Sequence, residues 1–119
     1  DALALAALRQ GLDGTVTGAA NALPEFLLWL YRYRTDAAAA EAIQNRFDRW
    51  NRYREALNIA EIPLVKASLT ARLPGFPRQV RPPFVALPKP MAGAIADEVR
   101  TGLQALQTLA GTIGPHDAG

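Results

Sequence analysis

One short β-forming stretch constrains this chain more than any other feature. Asp13-Gly14-Thr15-Val16-Thr17-Gly18 sets three β-branched residues in a row between glycines. That is strand composition with turn formers at both ends. Everything around it is patterned for helix. A lone strand leaves a ladder of unpaired backbone donors and acceptors. Helix, glycine, strand and helix in succession is the repeating unit of an α/β protein, whose strand joins a parallel sheet. The partner strands are therefore expected outside these residues.

Helical patterning accounts for the rest of the chain. Asp1 can cap a helix over Ala2–Gln10, and Gly11 suits the left-handed stop after it. Asn21 is placed to cap the next helix, about Ala22–Arg34, with Pro24 in its first turn and Phe26, Leu27, Leu30 and Tyr31 on its apolar stripe. Asp36 is the expected cap of the longest helix, which runs to Leu57 or Asn58 with Ile43, Phe47, Trp50 and Leu57 as its buried seam. Pro63 opens a short helix, Leu64–Leu73, closed by Pro74-Gly75. Most of the prolines then fall between Pro74 and Pro90, which predicts an extended surface segment. A last helix, about Met91–Ala110, carries Ile95, Val99, Leu103, Leu106 and Leu109 in a stripe and ends at Gly111. This gives five helices and one strand.

Composition excludes several classes of function. The 119 residues hold no cysteine, which removes disulfides, thiolate catalysis and cysteine-ligated metals. It is compatible with a reducing compartment, and a cytoplasmic location is the expectation. A net charge of only +2 lacks the clustered basic excess of a nucleic-acid binder. The longest apolar runs, Ala2–Leu8 and Phe26–Tyr31, fall far short of the roughly 20 residues of a membrane span. The first residues have no basic start and no cleavage signature of a signal peptide. Neither nucleic acid nor membrane is an expected partner.

Three short motifs, in order, carry a family resemblance. Asp1-Ala2-Leu3-Ala4-Leu5, followed by Gly11-Leu12-Asp13-Gly14-Thr15-Val16-Thr17-Gly18-Ala19-Ala20-Asn21, resembles the end of the barrel in the dihydrodipicolinate synthase / N-acetylneuraminate lyase family. Val65-Lys66-Ala67 with Leu69 is similar to that family's V-K-x-A-L helix, and Val80-Arg81-Pro82-Pro83 to its R-P-P segment. The resemblance implies an α/β fold, the C-terminal part of a (β/α)8 TIM barrel. Residues 1–34 would be its last part, with strand eight over 13–18; 35–111 a C-terminal helical region; and 112–119 a flexible tail. Such a barrel takes roughly 250 residues. The resemblance further implies a class I aldolase-type lyase or synthase, in which a lysine near the end of strand six forms a Schiff base with pyruvate or a related 2-oxo acid. That lysine would precede Asp1. A small 2-oxo acid is the implied substrate, a homo-oligomer the implied assembly, and no cofactor is implied.

The residues themselves leave two readings at each candidate. At the C-terminal end of a barrel strand, Val16 would line the substrate pocket, Thr17 offer a hydroxyl and Gly18 a close backbone approach. The plain alternative is an ordinary strand residue followed by a turn former. Lys66 tempts as a Schiff-base lysine, but such a group needs a desolvated pocket and an acid–base partner, and Lys66 sits on a short helix with neither implied. Lys89, between prolines, reads as a surface lysine. Arg46 to Arg54 alternate with Asp48 and Glu55, the pattern of a solvated, salt-bridged helix face rather than a phosphate site. His116 has no metal-ligand companions. No catalytic residue is expected within the chain. The alternative function is a non-catalytic helical interaction protein, or a truncated, inactive family member.

Overall fold

The computed structural model describes residues 1–113. Among them five α-helices follow in order: α1 Ala4–Arg9, α2 Pro24–Arg32, α3 Ala37–Leu57, α4 Glu61–Leu69 and α5 Lys89–Ile113. A single 3₁₀ turn, Gly18–Asn21, lies between α1 and α2.

The described residues contain no strand, which overturns the expected strand over 13–18 and with it strand eight of a TIM barrel. The fold class is all-α within these residues, not α/β. The local reading of the backbone is still sound. Residues 12–17 are neither helical nor turned, and Thr17 has φ −151° and ψ 148°, squarely extended. β-Branched side chains set the conformation of their own residue, but a strand is defined by its ladder. No other described segment pairs with it as a strand.

The long-helix expectations fare better. The side chain of Asp36 accepts a hydrogen bond from the Ala39 N–H at 3.1 Å, capping α3 as its position predicts. α3 ends at Asn58, whose φ of 49° is the left-handed stop. At α2 the cap differs from expectation. Thr17 Oγ1 accepts from the Ala19 N–H at 3.2 Å and winds the chain into the 3₁₀ turn, while Asn21 Nδ2 donates to the Gly18 carbonyl at 3.0 Å. Asn21 is thus used inside the turn, and Leu23 stands at the start of α2 without a side-chain cap. The buried stripe of α2 is Phe26, Leu30 and Tyr33, spaced by four and three residues, with Tyr31 exposed. Pro63 and Pro90 each sit in a first helical turn, where the missing N–H is not needed. Gly111 lies inside α5 and does not stop it. Residues 112 and 113 also belong to α5, while the rest of the expected tail, with His116, lies outside the described residues.

α5 packs against both α3 and α4, and α2 packs against α3. Their common core is Leu23, Phe26, Leu30, Ile43, Phe47, Ile95 and Val99, all essentially without solvent contact. Phe26 and Phe47 stack with ring centroids 5.0 Å apart and planes within 10°. Where α5 crosses this pair it carries Gly102, and a methyl there would meet Phe26 Cε2 at 3.7 Å, an ordinary van der Waals separation. Gly102→Ala is therefore expected to stabilise the fold by about 0.5–1 kcal/mol, because it removes a helix-interior glycine without overpacking. An unchanged or lower urea midpoint would contradict that packing.

Between α4 and α5 the proline-rich segment runs over the surface, as its composition predicts. Residues 81–86 are exposed. The segment is fastened at two places: Arg78 Nη1 donates to the Leu87 carbonyl at 2.7 Å, and Lys66 Nζ donates to the Gln79 carbonyl.

Candidate functional site

The three pocket residues expected from the sequence do not converge on one cavity. Val16 is fully exposed and extends into solvent. Thr17 spends its hydroxyl oxygen on the 3₁₀ turn. Gly18 lies against the first turn of α4, where a Cβ would stand 2.3 Å from Glu61 Oε1 and 3.2 Å from Val65 Cγ2. The close approach at Gly18 is to α4, not to the bound oxo acid that the barrel reading expects.

Gly18 also borders an open cavity of about 470 Å³, shared with Asn21, Ile62, Lys66 and Phe76. The only ammonium group on its wall, Lys66 Nζ, is tied to the Gln79 carbonyl and joins α4 to the proline-rich segment. Lys89 opens α5 and is exposed. Neither lysine has the desolvated setting and acid–base neighbour that Schiff-base chemistry requires.

A second cavity with a mainly apolar wall borders residues 12–15. Leu3, Ala7, Leu8, Leu12, Leu28 and Tyr31 line an open cavity of about 470 Å³ between α1, residues 12–15 and α2. Leu3, Leu12, Leu28 and Tyr31 are also among the most exposed large apolar side chains. Periodicity alone could not find this cavity, because it is assembled from α1, the extended segment and α2.

Two arginines of α3, Arg49 and Arg54, are paired within the chain. Arg49 Nε meets Glu98 Oε1 on α5 at 2.8 Å; Arg54 reaches Asp1 at 3.4 Å and Glu61 at 3.6 Å. These bridges run outside α3 and not to Asp48 or Glu55, the acids with which the arginines alternate along α3; Asp48 instead accepts from Gln44 and Asn51. Arg72 forks onto Glu25 at 2.6 and 2.9 Å and adds a bond to the Ala22 carbonyl at 3.1 Å, tying the residues after α4 to the start of α2. Among the described residues no group of three or more His, Cys, Asp or Glu could hold a metal ion. No helix among them is long and apolar enough to cross a membrane.

Buried polar contacts concentrate where α3 meets the first residues. Gln44 Oε1 accepts from the Leu5 N–H at 3.1 Å, and Gln44 Nε2 donates to Asp48 Oδ1 at 2.8 Å and to the Asp1 carbonyl at 3.3 Å. Asp48 also accepts from Asn51 Nδ2 at 3.3 Å. A glutamine on an otherwise apolar helix face is the sole trace of this network in the sequence.

No family model, no curated protein and no solved structure matches this chain.

The fold perturbs the Tyr53 phenol. Partial burial raises the Tyr53 phenol above its ordinary value of 10.0, and the carboxylates of Glu98 and Asp97 add to the shift. The folded chain thus holds this proton more tightly than the unfolded chain. The stability this supplies is complete below pH 10.0 and is lost as pH rises from there through the folded value. Tyr53→Phe should flatten that alkaline loss, read as melting temperature against pH; an unaltered profile would rule Tyr53 out as its source.

Proposed function

We propose that this chain serves a class I, Schiff-base aldolase-type lyase or synthase acting on pyruvate or a related 2-oxo acid. Its part is helical framework, and the reacting lysine lies outside these residues. The observation that carries this proposal is the order of three sequence matches along one chain: Asp1–Asn21, Val65–Leu69 and Val80–Pro83. The engagement of Lys66 with a backbone carbonyl and the exposure of Lys89 are consistent with a non-catalytic role for both.

Borohydride reduction in the presence of pyruvate tests it, applied to the protein as it occurs in its cells and followed by peptide mapping. The expected result is a reduced pyruvyl adduct on a lysine outside these residues. An adduct on Lys66 would move the reacting group into this chain, and no adduct at all would overturn the aldolase assignment.

A second reading, a non-catalytic helical interaction protein, is favoured by a different observation, the uncovered apolar surface of Leu3, Leu12, Leu28 and Tyr31. It predicts no pyruvyl adduct anywhere.

A further inference from the structure

The segment between α1 and the 3₁₀ turn combines three properties that seldom coincide on a finished surface. Over residues 12–17 its backbone runs without helix, turn or bend, and Thr17 is extended. The N–H and C=O groups of Asp13, Gly14, Thr15 and Val16 make no hydrogen bond with any described residue. The apolar cavity walled by α1 and α2 opens directly beside residues 12–15.

We propose that residues 13–17 dock an extended peptide segment of another polypeptide by main-chain pairing, with the peptide's apolar side chains seated in that cavity. The unpaired donors and acceptors select the occupant. A helix satisfies its own backbone and a lipid chain has none, so neither would use an exposed ladder. Charge narrows the choice further. The cavity wall carries the carboxylates of Asp1 and Asp13 and no lysine or arginine. Asp1 is already paired with Arg54, so Asp13 is the carboxylate left for the occupant. The docked segment therefore carries alternate apolar residues, no proline, and a lysine or arginine opposite Asp13. A second copy of this chain fits less well, because its own residues 12–17 offer no cation to Asp13.

The test uses a capped peptide of alternating valine and threonine with a lysine at each end, and the same peptide with proline at two central positions. Backbone amide exchange is followed residue by residue in the chain. The valine–threonine peptide is expected to slow exchange at alternate amides within 13–17 by at least about tenfold, and the proline peptide to slow none. Val16→Pro removes one of the free donors. It should leave the melting temperature unchanged and abolish the protection. Absence of protection at 13–17 would overturn the proposal, as would equal protection by both peptides. Protection that appears without peptide and grows with chain concentration would also overturn it, in favour of self-association. None of these outcomes depends on pyruvate, so this proposal and the aldolase assignment can fail separately.

Discussion

Phe47→Ala is expected to remove about 3–5 kcal/mol of folding stability, the cost of truncating a fully buried aromatic residue. Phe47 lies at the centre of α3, has no solvent contact, and stacks on Phe26 of α2 at 5.0 Å. Truncation removes the ring's own burial and strands the face of Phe26 against a void. The stacking geometry itself adds about 0.5–1.5 kcal/mol to the area term. Since a small domain has about 5–15 kcal/mol in all, the variant loses a large fraction of its stability. Urea unfolding should show a much lower midpoint with an unchanged slope. Phe47→Leu, which keeps most of the volume, should cost less than half as much. A Phe47→Ala chain as stable as the parent would contradict the core described above.

Gln44→Ala carries the second large effect, and a local one. α1 is only 6 residues long and has no side-chain cap of its own. Helices this short do not persist in water on propensity alone. The Leu5 N–H belongs to the first turn, whose donors have no partner within the helix. Gln44 Oε1 supplies that partner from α3 at 3.1 Å. Removing it leaves a buried donor unsatisfied, at a cost of about 1–3 kcal/mol. Amide exchange in α1 should accelerate while α3 and α5 stay protected. Gln44→Glu retains an acceptor for Leu5 but turns a carboxylate toward Asp48, so an intermediate loss is expected. Uniform acceleration across all helices would mean that Gln44 supports the whole fold and not α1.

What the sequence discloses and what it hides divide along physical lines. Asp36, the seam of Ile43, Phe47 and Trp50, and the stripe of α5 are legible because each is an i, i+3, i+4 relation within one helix. That residues 12–17 are not helical, with Thr17 extended, is legible for the same local reason, whereas the absence of a strand is not, because pairing depends on a partner. Tyr33 rather than Tyr31 completes the buried stripe of α2 because the angle at which α2 lies on its neighbours chooses between adjacent positions. Gln44 with Leu5, Arg72 with Glu25 and Gly18 with Glu61 join residues far apart in the chain. No periodicity encodes such meetings. The apolar cavity beside residues 12–15 is hidden likewise, since its walls come from separate elements.

The fastened proline-rich segment has a consequence for how the chain could be divided. Residues 81–86 are exposed and contribute nothing to the buried core, yet both flanks are held in place, by Arg78 on Leu87 and by Lys66 on Gln79. The covalent link there mainly keeps α5 at a high effective concentration beside α3 and α4. Severed after Phe84, the molecule would become a two-piece complex whose cohesion depends on dilution. The same exposed bridge is the natural place to split this fold into complementing halves, with α5 as the reporter of their reunion.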